Sequence, residues 1–130
     1  IAAIIDSYQP DYVVLAKYMR ILSPDFVARY HQKLINIHHS FLPAFIGASP
    51  YQQANDRGVK MIGATAHFVT NDLDEGPIIE QDVTHINHTF NAIDMAKAGR
   101  DVEKSVLSRA LNLVLEGKVF VHGNKTVVFK

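Results

Sequence analysis

The chain has no cysteine among its 130 residues. That absence excludes a disulfide scaffold and a thiolate nucleophile, and it fits a reducing, cytoplasmic setting. Charge of one sign is also lacking: 13 Lys and Arg face 13 Asp and Glu. With no bulk field, the balance argues against nucleic acid and against an anionic membrane surface as partners. No apolar run approaches the ~20 residues that a membrane helix needs. The segment Ile1-Ala2-Ala3-Ile4-Ile5 is apolar, but it has no basic flank and Asp6 interrupts it, so it does not read as a signal peptide. A phosphate-cradling glycine loop is missing, and so is a nucleophile elbow around Ser40. The chain opens on Ile1 instead of Met, which reads as a fragment of a longer protein.

What is present is a core-forming sequence. With 48% hydrophobic residues and a length near the usual domain size, residues 1–130 read as one domain without internal repeat or linker. Ile1 to Tyr8 has helical spacing and stops before Pro10. Asp11 to Ala16 is a continuous β-branched, apolar run, the pattern of a strand covered on both faces. Ser23-Pro24 starts a short helix over Asp25 to His31, and Lys33 to His38 forms a second strand. Tyr51 to Arg57 reads as a helix closed by Gly58, Met61 to Val69 as a third strand whose alanines and Gly63 predict tight packing, and Ile78 to Ile86 as a fourth with alternation. Asn91 and Asp94 resemble a capping box for a long helix with apolar residues at 102, 106, 110, 113 and 114, ended by Gly117. Val119 to His122 and Thr126 to Phe129 read as a C-terminal hairpin. The fold class is therefore α/β, a mostly parallel twisted sheet with helices on both faces, in which ligands bind at the carboxyl ends of the strands.

One stretch concentrates the chemistry. Asn36 and His38 stand two apart on a strand and so project from one face, an amide beside an imidazole. Such a pair suits charge developing on a carbonyl oxygen, and Asp74 in the acidic loop Asp72-Leu73-Asp74-Glu75-Gly76 could accept a proton from water. By spacing alone, a turn-capping Asn36 and a satisfied core His38 fit equally well. A metal site drawing on His38, His39, His67 or His85 is the weaker reading, because adjacent strand histidines point to opposite faces and no tight ligand spacing occurs. Arg100, Asp101, Glu103 and Lys104 read as an exposed helix face, and Asp72, Asp74 and Glu75 read equally as a solvated turn.

Taken together, Asn36-Ile37-His38, Ser40, Leu42-Pro43, Gly47, His67-Phe68-Val69, Leu73-Asp74-Glu75-Gly76-Pro77 and Met19-Arg20-Ile21-Leu22 resemble the folate-dependent formyl-transfer superfamily, over nearly the whole chain. The run His38-His39-Ser40-Phe41-Leu42-Pro43-Ala44-Phe45, with His39 where the transformylases usually carry Pro, is similar to the hydrolytic branch, the formyltetrahydrofolate deformylases. Pro50-Tyr51, Gly63 to His67 and Ala98 to Glu103 side with that branch. The resemblance implies a formyltransferase-like, Rossmann-like fold lacking its N-terminal half and an ACT-type regulatory domain. It implies hydrolysis of 10-formyltetrahydrofolate to tetrahydrofolate and formate, feeding purine synthesis and one-carbon metabolism. Transfer to an amine such as glycinamide ribonucleotide is the alternative. Asn36, His38 and Asp74 would form the catalytic set, with the carboxylate favouring a protonated imidazole. Arg20, Leu22, Asn71 and Leu73 would contact the pterin. The folate substrate is the one small molecule implied, with no metal, and a homo-oligomer is implied for the full-length protein. Leu42-Pro43 is a candidate cis peptide.

Overall fold

The computed structural model describes residues 2–8, 10–16, 23–38, 49–71 and 76–130. In chain order the elements are α1 (Ala2–Ser7), β1 (Val13–Ala16), α2 (Pro24–Arg29), β2 (Leu34–His38), α3 (Pro50–Arg57), β3 (Met61–Phe68), β4 (Ile78–His85), α4 (Ala92–Leu115), β5 (Val119–His122) and β6 (Lys125–Val128). Local chemistry sets several boundaries. The Ser23 hydroxyl accepts from the Phe26 amide ahead of Pro24, satisfying an orphan N–H of α2. Gly58 ends α3 in the left-handed conformation at φ 76°, its amide returning to Ala54 and Asn55. Asn91 and Asp94 form a full capping box at the start of α4.

The main sheet has the order β1-β2-β3-β4, and β5 with β6 makes a separate antiparallel hairpin. The sheet is mixed, less parallel than the sequence pattern predicts: β1–β2 is parallel, whereas β2–β3 and β3–β4 are antiparallel. The reason is local for β3 and β4. The nine residues between Phe68 and Ile78 are too few for a parallel crossover, which takes about a dozen or more.

Alternation divides the sheet into two faces. Ile35 and Ile37 of β2 join Ala64, Ala66 and Phe68 of β3 and Ile79 of β4 beneath Val106, Ala110 and Val114 of α4. A second apolar group, Ala54, Ile62, Ile86 and Met95, ties α3 and α4 to the far ends of β3 and β4. The small side chains of Ala64 and Ala66, both fully buried, let the helix lie close to the strands. β2 is buried on both faces, and its second face carries Leu34, Asn36 and His38.

Candidate active site

The polar face of the sheet is built by register. Antiparallel pairing sets Asn36 opposite His67 and His38 opposite Thr65, so all four side chains project from the same side. Asn36, Thr65 and His67 are almost fully buried, at 4%, 4% and 2% exposure. The His38 and His67 rings meet edge to face, their centroids 5.3 Å apart and their planes at 65°.

His67 is locked by the backbone beside it. Its Nδ1 lies 2.8 Å from the Phe68 carbonyl oxygen. A carbonyl only accepts, so Nδ1 carries the hydrogen and the neutral ring has its lone pair on Nε2. The following loop returns to the same place: the Phe68 amide donates to the Pro77 carbonyl at 2.9 Å. Gly76 sits so close that an added Cβ would stand 1.7 Å from the Phe68 oxygen and 3.3 Å from His67 Nδ1. Only glycine allows that approach. Gly76 is therefore held against the end of β3, beside the polar face.

Among the described residues the Asn36 Oδ1 is buried without a hydrogen-bond partner. An orphaned buried acceptor costs about 1–3 kcal/mol, and such an atom calls for a partner supplied from elsewhere. The orphan Oδ1 calls for a donor, while the N–H groups of the Asn36 amide and of an imidazole on the same face are donors able to hold a carbonyl oxygen as it gains charge.

Of the residues the sequence singles out, Asn36 and His38 are brought to one face. Asn71 is exposed in the bend that follows β3. Asp74, Arg20, Leu22, Leu73, His39 and the Leu42-Pro43 bond lie outside the described residues. β1 runs parallel to β2, which sets its carboxyl end at the sheet edge where His38 stands, and Met19 to Leu22 follow that end in the chain. Among the described residues no group of three or more His, Cys, Asp or Glu is placed to hold a metal ion. Sequence reasoning gave no catalytic place to His67 or Thr65. The signal was available in β3, where Thr65 and His67 alternate with Ala64, Ala66 and Phe68, a polar stripe facing away from the helix.

A model of the formyl transferase family matches residues 1–111. The formyltetrahydrofolate deformylase of Escherichia coli (strain K12) is 71% identical over 124 residues, 95% of this chain and 44% of its own length. That of Bacillus subtilis (strain 168) is 59% identical over 126 residues, 97% of this chain and 42% of its own. The crystal structure of the Burkholderia mallei formyltetrahydrofolate deformylase aligns with a TM-score of 0.91 at 52% identity, over 98% of this chain and 46% of that one. Glycinamide ribonucleotide transformylase 1 from Symbiobacterium toebii aligns with a TM-score of 0.88 at 33% identity, over 99% and 61%. The chain spans less than half the length of the curated deformylases it matches.

Proposed function

The chain belongs to the formyl transferase family, and from that premise we propose that its full-length protein hydrolyses 10-formyltetrahydrofolate to tetrahydrofolate and formate. The observation that carries the reading is the gap in identity: 71% to a deformylase against 33% to a glycinamide ribonucleotide transformylase of nearly the same fold. In this proposal residues 1–130 are part of the catalytic domain, the full-length protein is a cytoplasmic homo-oligomer, and the folate is its one small-molecule partner, with no metal.

The chemistry rests on the polar face. Asp74 takes a proton from water as the water oxygen bonds to the formyl carbon. The Asn36 amide and the His38 imidazole donate hydrogen bonds to the carbonyl oxygen while it carries the negative charge. Collapse of the tetrahedral carbon breaks the C–N bond, a proton passes to the folate nitrogen through water, and formate leaves. Two peptide units join Asp74 to Gly76, a span of at most about 7.6 Å, and Gly76 is packed beside His67. That covalent tether, with Gly76 beside the ring that meets His38, supports counting Asp74 in the set. Arg20, Leu22, Asn71 and Leu73 hold the pterin in this reading, on the loops that flank the sheet edge.

Loss of a positioned acid or base costs about 100- to 10,000-fold. Asp74→Asn and His38→Ala in the full-length protein are expected to lower turnover by that order while folate binding is kept, measured as formate release and by fluorescence titration. Near-normal hydrolysis by either variant overturns the assignment. Formate release that is independent of glycinamide ribonucleotide separates hydrolysis from transfer, because a transferase releases formate poorly and formylates the amine instead.

A further inference from the structure

The C-terminal hairpin is apolar on both of its faces. One face, Val119 and Val121 of β5 with Thr126 and Val128 of β6, is half-buried. Val119 and Val121 pack against the core beneath α4, and the Thr126 hydroxyl donates to the Ile78 carbonyl at the start of β4. The other face looks outward. There Phe120 stands directly opposite Val127, and Phe129 lies opposite Lys118, its amide donating to the Lys118 carbonyl at 2.9 Å. Phe120, Val127 and Phe129 are 55%, 49% and 58% exposed, and the two phenyl rings meet edge to face at 5.7 Å.

Single exposed apolar residues are ordinary, whereas three gathered on one sheet face mark a contact surface. Strands apolar on both sides are the pattern of strands covered on both sides. Among the described residues only one face of this hairpin is covered.

Charge indicates what covers the other. The three apolar residues share the outward face with Lys118, His122 and Lys125. Residues 117–130 contain Lys118, Lys125 and Lys130 and no Asp or Glu, while the preceding 116 residues carry three more acids than bases. Lys118 is answered by Glu116 at 2.8 Å and Lys130 by Glu80 at 3.5 Å. Lys125, at the turn beside His122, has no carboxylate against it among the described residues. A two-fold contact between the hairpins of two copies would set this basic face against itself, which opposes it. The curated deformylases that the chain matches are more than twice its length, and a tethered segment meets such a face at a high effective concentration.

We propose that the outward face of the hairpin docks the part of the full-length protein outside residues 1–130, through a segment that presents apolar side chains together with Asp or Glu. Phe120, Val127 and Phe129 form the water-excluding centre, and Lys125 at the rim fixes the orientation. The docking holds whichever reaction the polar face performs.

The test uses the full-length protein, with ¹⁴N and ¹⁵N copies mixed, unfolded and refolded together. A water-soluble carbodiimide joins a lysine to a carboxylate only where the two touch, and mass spectrometry reads both partners. The Lys118–Glu116 and Lys130–Glu80 pairs, already in contact, are the internal controls. The expected result is a link from Lys125 to an Asp or Glu outside residues 1–130, in single-isotope peptides only. Val127→Asp should abolish that link and keep both controls, because an unpaired carboxylate is expelled from an apolar seat. Oxidation of Phe120 and Phe129 by hydroxyl radicals should rise in the same variant. Mixed-isotope links from Lys125 would make the occupant a second copy and overturn the proposal. Control links without one from Lys125 to an outside acid overturn it as well, and so does equal Phe oxidation in wild type and variant.

Discussion

Gly99 and Gly76 are each required by what stands against them, and the two neighbours differ in kind. A Cβ on Gly76 meets backbone, the Phe68 carbonyl, which has nowhere to go. A Cβ on Gly99 meets a side chain, 1.9 Å from the Tyr51 hydroxyl and 2.7 Å from its ring edge. Tyr51 is held in place there. Burial first, and then the Glu103 carboxylate beside it, push its phenol well above the ordinary range, so it stays protonated and able to donate. Glu103, half-buried on α4, thus brings its carboxylate near that phenol. For Gly99→Ala two effects compete. Replacing a mid-helix glycine gains about 1 kcal/mol in helix propensity, while overpacking costs about 1–3 kcal/mol. A net loss of about 1 kcal/mol is expected from urea midpoints. The same substitution made in a Tyr51→Ala background should become stabilising, because the clash is gone and the propensity gain remains.

At the scale of elements, α4 organises the rest. It is 24 residues long, and its buried stripe of Met95, Gly99, Val106, Ala110 and Val114 covers β2, β3 and β4 along one face. Its first turn carries no basic residue, and Asp94 there favours the positive end of the helix dipole. The capping box closes reciprocally, with the Asp94 amide donating to Asn91 Oδ1 at 2.8 Å and the Asn91 amide donating to Asp94 Oδ2 at 3.1 Å. Both bonds are exposed, so the cap is worth about 1 kcal/mol. Asn91→Ala should lower the unfolding midpoint by that amount without altering folate binding, and Asn91→Ser should restore most of it. Failure of Asn91→Ala to shift the midpoint would show that α4 is held by tertiary packing alone.

Across the whole molecule, helix and sheet are joined at the surface by the Asp82–Arg109 pair at 2.8 Å. The Val83 amide, and then the Arg109 guanidinium, hold the Asp82 carboxyl below its ordinary range. A carboxylate with a lowered folded-state pKa stabilises the protein above the ordinary carboxylate range. That contribution is lost as pH falls through the lowered value. The pair is nearly half exposed on both sides, so its share is small and screened by salt. Asp82→Asn should flatten the acid limb of the stability curve slightly at low ionic strength and not at all in about 1 M salt, read from midpoints between neutral and acid pH.

Residue pattern alone determined the α/β class, the four sheet strands, the capped long helix, the hairpin, and Asn36 with His38 on one face. Each follows from short-range chemistry: period-two and period-3.6 alternation, a hydroxyl before proline, and glycine after a helix. The family resemblance is what proposes that pair as a site. Three things needed the tertiary structure. The antiparallel pairing of β2 with β3 brought His67 and Thr65 beside them, because register between strands is set by contacts distant in sequence. Close packing set Gly76 on the end of β3, against the Phe68 carbonyl and the His67 ring. The bulge at Ile79 turned Gln81 to the polar face, where its amide donates to the Thr65 hydroxyl, against the alternation from Ile78, because one extra residue reverses the facing of everything beyond it.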